Sequence, residues 1–102
     1  MNFILFTAGV ITLAGAAAAV PATGFKGADL LPQAKVTLAV ARATALKARA
    51  GSVTDEELEK EKGGSGLRYS FDITSAGKPF EVGVDARTGK ILENKAEGKN
   101  PD

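Results

Sequence analysis

The sequence predicts an α+β domain in which one main helix packs on a small antiparallel β-meander of three to four strands, preceded by an N-terminal signal or anchor helix. Two observations predict the domain: an alanine-rich segment with helical spacing ends at a glycine, and the segments after it alternate apolar and polar residues. A third observation sets the N-terminus apart, because every charged residue lies at Lys26 or later. A helix with one apolar stripe and a sheet with one apolar face make a two-layer domain.

Residues 1–22 have the pattern of a secretory signal peptide. The uncharged apolar run of residues 3–20 fades into small alanines, which fits an h-region followed by cleavage after Ala19 or Ala22. The alternative is an uncleaved membrane anchor, because about 18 apolar residues can just span a bilayer. Cleavage would place the protein in the periplasm or outside the cell, whereas the anchor would tether it to the membrane.

A linker and one helix come next. Residues 23–35 mix glycine, proline and charge without a period, which predicts a linker, with ordered structure beginning near Val36. Thr37 is a candidate N-cap for a helix over residues 38–50, and Gly51 is predicted to end that helix with a positive φ. The face that packs on the sheet is lined by Leu38, Ala41, Ala45 and Leu46.

The charged segment of residues 53–61 supports two interpretations. Thr54 with Glu57 forms a capping-box pattern, which favours a second helix. Only Val53 and Leu58 are apolar, however, so a helix would have little surface to bury, whereas charged side chains suit an exposed edge strand.

The C-terminal half alternates with the period of strands that have one buried face. The turns between the strands are marked by glycine at residues 63–66, 75–78 and 85–89, and the last is expected to close with a positive φ at Gly89. A final strand covers residues 90–95, and the polar residues 96–102 read as a disordered tail. The predicted core side chains are Leu67, Tyr69, Phe71, Ile73, Phe80, Val82 and Val84.

Composition excludes several classes of function. The 13 basic and 12 acidic residues nearly balance, which argues against a nucleic-acid footprint and a polybasic membrane patch. Histidine and cysteine are both missing from the sequence, so a Ser/His or Cys/His nucleophilic centre and a histidine-bearing zinc site cannot be built. We therefore predict no catalytic, cofactor-binding or metal-binding residues, and no enzyme.

Three polar features have a structural interpretation beside a functional one. Asp85 and Lys90 resemble a binding pair, but Asp85 is better explained as a cap of its own turn. Tyr69 could be an exposed recognition residue, yet its phase with Phe71 predicts that it lies in the core. An acidic run could hold calcium weakly, but a solvated edge strand accounts for it better; its members are Asp55, Glu56, Glu57, Glu59 and Glu61.

The stretch "FEVGVDARTGKILE" resembles the PepSY family, found in propeptides of secreted metallopeptidases and in bacterial envelope proteins. The family's V-D-x-x-T-G-K pattern is matched by Val84, Asp85, Thr88, Gly89 and Lys90, and a weaker match covers Ala41, Ala45, Leu46 and Gly51. The resemblance runs from about Lys35 to Glu93, within a PepSY-like domain predicted over residues 36–95. It implies that residues 53–61 form a strand paired with residues 67–74.

The resemblance also implies a function. It indicates a non-enzymatic, secreted or periplasmic domain that binds a secreted or envelope peptidase, or another envelope protein. A peptidase would be regulated or inhibited in trans, because no protease follows in this chain. A sheet edge is one way to bind such a partner. The alternative is a structural or sensory domain, tethered by an uncleaved N-terminal segment, that modulates a membrane neighbour. No cofactor and no nucleic acid are expected, and membrane contact only through that segment.

Overall fold

Residues 25–98 are described by the structure, a computed structural model, and they form one helix packed on a four-stranded antiparallel sheet. The predicted α+β class is confirmed, while the signal or anchor segment and residues 99–102 lie outside the described residues. The elements in order are a 3₁₀ helix (Ala28–Gln33), α1 (Leu38–Ala48), β1 (Ser52–Lys60), β2 (Leu67–Ser75), β3 (Lys78–Asp85) and β4 (Ile91–Ala96).

The sheet is a meander with strand order β1-β2-β3-β4. β1 pairs antiparallel with β2, from Ser52 opposite Thr74 to Lys60 opposite Leu67, so the strand interpretation of residues 53–61 is confirmed. A bulge at Thr54 interrupts this ladder, and the Thr54 hydroxyl donates to the carbonyl of Asp72 at 3.2 Å. The segment needs few apolar side chains because main-chain hydrogen bonds to β2 hold it in the sheet.

The hairpin turns have the predicted locations. Ala76 and Gly77 join β2 to β3 with φ angles of 52° and 78°, the positive values that a two-residue turn between twisted strands requires. Gly89 has a φ of 81°, and its N–H donates to the carbonyl of Asp85 at 2.9 Å, as expected for the turn before β4. The ladder continues past β4, because the N–H of Glu97 donates to the carbonyl of Pro79 at 3.0 Å, within the segment predicted as a tail.

The helix begins as predicted and ends differently. The hydroxyl of Thr37 accepts a hydrogen bond from the N–H of Val40 at 3.1 Å, which confirms the N-cap. The helix ends at Ala48 with Arg49 as an extended C-cap, and Gly51 does not have a positive φ, so its predicted role as the left-handed stop was wrong. Gly51 instead packs on β2, where an added Cβ would lie 2.3 Å from the carbonyl oxygen of Thr74.

The core lies between α1 and the sheet. Tyr69, Phe71 and Val82 are completely buried, as predicted, and the rings of Tyr69 and Phe71 are 6.3 Å apart. Phe80, also predicted for the core, is only half-buried, and the guanidinium of Arg49 covers its ring at 3.8 Å from the centroid. The buried apolar set comprises Leu38, Ala41, Ala45, Leu58, Leu67, Tyr69, Phe71, Ile73, Val82, Val84 and Ala86.

The predicted linker contributes to the domain. Within residues 25–35, the 3₁₀ helix packs against the core through Leu30 and Leu31, and its flanking residues Phe25 and Ala34 do the same. The expectation that ordered structure begins near Val36 was therefore wrong. A 3₁₀ helix of six residues is too short to show an apolar period, so the sequence pattern does not reveal it.

Candidate functional site

One face of the sheet is covered by α1, and the other, which we call the helix-free face, is polar. Opposed residues in an antiparallel ladder point to the same side, so the register places whole rows of side chains together. One row runs Asp55, Asp72, Glu81, Lys95 across the four strands. The next runs Glu57, Ser70, Gly83, Glu93, and a third joins Glu59, Arg68 and Asp85.

Carboxylates crowd the first row. Burial raises the pKa of Asp72 to about 6, helped by the charge of Glu97 and a hydrogen bond with it, and by the charges of Asp55 and Glu57. Burial likewise raises the pKa of Glu81, with further contributions from nearby carboxylates that outweigh the opposing effect of Lys95. Near neutral pH this row is therefore an acidic strip whose charges repel one another.

The basic side chains on this face are engaged by Glu93. Arg68, whose side chain is only 9% exposed, lies across Gly83 and donates to Glu93 at 3.3 Å and to the carbonyl of Lys62 at 3.0 Å. Lys95 forms an ion pair with Glu93 at 3.0 Å, which raises the pKa of the Lys95 ammonium. Arg68 Nε is buried and has no hydrogen-bond partner within residues 25–98. The net charge of the face is consequently negative, although the whole chain carries a formal charge of +1.

The acidic run of β1 is divided between the two faces of the sheet. Asp55, Glu57 and Glu59 lie on the helix-free face, where Glu59 accepts a hydrogen bond from Ser70 at 2.8 Å. Glu56 points to the helix side and is held by Arg42 through two bonds of 2.6 and 3.1 Å. No group of three or more potential ligands in residues 25–98 is arranged to hold a metal ion.

Asp85 closes its own turn and also fixes a distant loop. Its carboxylate accepts the N–H groups of Arg87 and Thr88, as the turn-cap interpretation predicts, while its own N–H donates to the carbonyl of Lys90. It also accepts the N–H and the hydroxyl of Ser65 at 2.6 and 2.7 Å. Burial alone would raise the pKa of Asp85, but these four donors together lower it well below the usual range.

Two of these contacts were not predicted from the sequence. Ser65 lies in a glycine-rich loop, and no local pattern connects it with Asp85. The Arg42–Glu56 pair had a usable signal, because Glu56 is in phase with buried Leu58 and therefore had to face the helix.

Tyr69 lies in the core as predicted, and its hydroxyl donates to the carbonyl of Val36 at 2.7 Å. A small apolar cleft of about 230 Å³ lies beside this bond, lined by residues that include Leu31, Val36 and Leu38.

The fold is a small α+β domain in which one face of the sheet is covered by a helix and the other is polar. The family model described as "Peptidase propeptide and YPEB domain" matches residues 35–95. This chain therefore belongs to the PepSY family, which confirms the resemblance. No curated protein and no solved structure matched the chain.

Membership of the family indicates a general kind of role and a typical location. PepSY domains are associated with peptidase propeptides and regulatory modules, are generally non-catalytic, and are typically extracellular or periplasmic. Within residues 25–98, none of the helices has the length and apolar character needed to cross a bilayer.

Proposed function

We propose that this protein is a non-enzymatic module of the cell envelope that binds a peptidase and regulates or inhibits it. The observation that carries the proposal is the family match over residues 35–95, which takes in α1 and all four strands. The same proposal places the protein in the periplasm or outside the cell, with residues 1–22 acting as a cleaved signal peptide. Intact-mass measurement of the protein isolated from its host tests the cleavage after Ala19 or Ala22.

The helix-free face is the proposed recognition surface. The opposite face is occupied by α1 and the core, so its side chains are unavailable to a partner. On the helix-free face carboxylates outnumber bases, even though Glu93 pairs with Arg68 and Lys95, and Lys26 pairs with Glu57 at 3.6 Å. The excess negative charge lies at Asp55, Asp72 and Glu81. A partner with a basic surface would relieve this repulsion, and such complementarity chiefly increases association rate and selectivity.

The chemistry of the best-placed hydroxyl also favours a non-enzymatic role. Ser65 lies 2.7 Å from Asp85, a spacing that a nucleophile and its base would share. A general base needs a pKa near the working pH, whereas the pKa of Asp85 is lowered and its side chain is occupied by four donors. The pair therefore fixes a loop, and the purified protein should hydrolyse no peptide bond on its own.

The test uses the purified protein as bait in an envelope extract of its host, followed by residual peptidase activity measured against rising bait concentration. A retained peptidase whose activity falls supports the proposal. Reversing charge on the helix-free face with Glu57→Lys and Glu81→Lys together should weaken both effects. The double variant Asp29→Lys and Glu61→Lys, which changes the net charge equally at two exposed positions, should leave them unchanged.

The opposite result is equally defined. If no peptidase is retained, or if activity never falls, the inhibitor role is wrong. The tethered structural or sensory role then becomes the better account, and an intact mass that still includes residues 1–22 would support it.

A further inference from the structure

The two edges of the sheet are treated differently by the fold. The outer side of β1 is covered by the segment before the 3₁₀ helix. Lys26 forms an isolated parallel β-bridge with Glu57, and the carbonyl of Lys26 accepts the N–H of Leu58 at 2.9 Å. The approach is so close that a Cβ on Gly27 would lie 1.8 Å from the carbonyl oxygen of Leu58. β4 forms the other edge, and no segment of residues 25–98 pairs with its outer side.

The free main-chain groups of β4 can be identified from its pairing with β3. Glu97 donates its N–H to Pro79, so Glu97 and, by alternation, Lys95 and Glu93 direct their main-chain groups toward β3. The N–H and C=O groups of Asn94 and Ala96 therefore point outward. An exposed row of this kind is a template for another strand.

We propose that the outer edge of β4 pairs antiparallel with β4 of a second copy of this chain, about a two-fold axis at Asn94. The two sheets then form one continuous sheet with two helices on the same face. Asn94 faces its own counterpart and exchanges two main-chain hydrogen bonds with it, and Ala96 lies opposite Leu92 of the other copy. This inference does not rest on peptidase binding.

The charges of β4 select the second copy as the occupant. An axis at Asn94 places Glu93 of each copy opposite Lys95 of the other, on the same face of the joined sheet. Opposite charges in directly opposed positions stabilise strand pairing, whereas like charges destabilise it. Moving the axis by one residue places Glu93 opposite Glu93, or Lys95 opposite Lys95. Of these three registers, only the one with the axis at Asn94 opposes unlike charges at residues 93 and 95.

The helix side of the joint is compatible with this pairing. The side chain of Asn94 is held toward its own helix, donating to the carbonyl of Ala48 at 3.3 Å and accepting from Arg49 at 3.2 Å. Arg49 lies over Phe80 in β3, so the two guanidinium groups are separated by three strand spacings, about 14 Å. That distance exceeds the screening length of about 8 Å at physiological salt.

Sedimentation equilibrium of the purified protein from about 10 μM to 1 mM tests the proposal, since an interface made by one strand pair is small and the dimer weak. The wild type should show a reversible monomer–dimer equilibrium. Lys95→Glu should raise the dissociation constant at least tenfold, because it places like charges opposite each other in both of the pairs between residues 93 and 95. Lys78→Glu, the same charge change at an exposed hairpin position, should leave it unchanged.

Two further variants separate charge from main-chain pairing. Ala96→Pro removes an outward N–H without touching the bond from Glu97, and should also weaken the dimer at least tenfold. Glu93→Lys alone should be monomeric, and mixing it with Lys95→Glu should restore a heterodimer, because the exchanged charges face each other again. Circular dichroism checks each fold. If Glu93→Lys does not fold, Lys95→Glu and Ala96→Pro decide the matter.

Amide hydrogen exchange identifies the occupant of the edge. The N–H groups of Asn94 and Ala96 should gain protection as protein concentration rises. A wild type that stays monomeric to about 1 mM, or a dimer that Lys95→Glu and Ala96→Pro leave unchanged, overturns the proposal. Protection that appears only when a retained peptidase is added assigns the edge to that peptidase, and also overturns it.

Discussion

Asp85 accepts both the N–H and the hydroxyl of Ser65, at 2.6 and 2.7 Å, across twenty residues of sequence. The contact ties the glycine-rich loop after β1 to the turn before β4. Because Asp85 is only 1% exposed, its charge depends on these donors and on the N–H groups of its own turn. A single carboxylate thus holds together two connections of the meander.

Asp85→Asn should destabilise the protein at neutral pH by about 1–3 kcal/mol, because the amide nitrogen would leave a buried N–H without an acceptor. Ser65→Ala, which removes only the hydroxyl bond, should cost about 0.5–1.5 kcal/mol. Urea unfolding measures both. Equal losses for the two variants would contradict a role for the charge of Asp85.

The same carboxylate predicts acid sensitivity. Its folded-state pKa is lowered, so its stabilisation is present above the unfolded value of about 4 and is lost as the pH falls below that value. Asp85→Asn should remove part of the stability loss between about pH 4 and pH 2. An unchanged acid transition in the variant would show that other groups cause it.

Asp72 predicts the opposite dependence at higher pH. Its folded-state pKa is raised to about 6, so the folded state binds the proton more tightly than the unfolded chain. The free energy of unfolding should therefore rise as the pH falls from about 7.5 through 6 toward 4. Asp72→Asn should raise stability at pH 7.5 and flatten this slope.

Urea midpoints at several pH values between 4.5 and 8 test the prediction for Asp72. Asp29→Asn, a change at an exposed carboxylate in the 3₁₀ helix, provides the control and should keep the wild-type slope. A slope that survives in Asp72→Asn would assign it to the other carboxylates of the helix-free face, beginning with Glu81.

Phe71 tests the assignment of faces in the sheet. It is completely buried between β1 and β3 under the helix, and Phe71→Ala should cost about 3–5 kcal/mol, enough to unfold most of a small domain. Thr74→Ala, at an exposed position of the same strand, should have little effect. Thermal unfolding distinguishes the two, and a well-folded Phe71→Ala protein would contradict the described core.

The sequence predicted features that depend on local chemistry. Thr37, just before an alanine-rich segment, predicts a helix N-cap, and alternation from Leu67 to Ile73 predicts a buried face. Both predictions depend only on neighbouring residues in the sequence. The strand at residues 53–61 was ambiguous locally, since its capping-box pattern favours helix. Family resemblance resolved it, because pairing with β2 outweighs a weak local preference.

Long-range relationships could not be predicted in the same way. The rows of the helix-free face exist only once the register is known, so the clustering of Asp72 with Glu97 has no local signature. The 3₁₀ helix and the Ser65 contact also depend on neighbours distant in sequence. Gly51 has the ordinary position of a helix stop, and only the approach of Thr74 reveals its different role.

Arg42 and Glu56 join α1 to the edge strand through a nearly dry ion pair. The side chain of Glu56 is 1% exposed, so Arg42→Ala would leave a buried charge without its main partner and should cost about 3–5 kcal/mol. Replacing both residues by leucine should cost less than Arg42→Ala alone. Lys26→Ala breaks a solvated pair with Glu57 and should cost less than about 1 kcal/mol.

Urea unfolding of these variants forms a direct comparison between a buried and an exposed ion pair. Because Arg42 reaches the sheet from the middle of α1, its loss should also expose the helix amides to exchange sooner. A double leucine variant less stable than Arg42→Ala would mean that the pair itself, rather than the burial of one unpaired charge, stabilises the domain.

Gly51 separates two reasons for a glycine after a helix. If it were a left-handed stop, asparagine would be the best-tolerated replacement, since asparagine accepts a positive φ. The structure gives Gly51 no positive φ and places an added Cβ 2.3 Å from Thr74 O and 2.8 Å from the Cγ2 of Ile73. Gly51→Ala should therefore cost about 1–3 kcal/mol, and the larger Gly51→Asn at least as much. Ser52→Ala, at the exposed next residue, is the control for urea unfolding. An asparagine variant clearly more stable than the alanine variant would restore the helix-stop role.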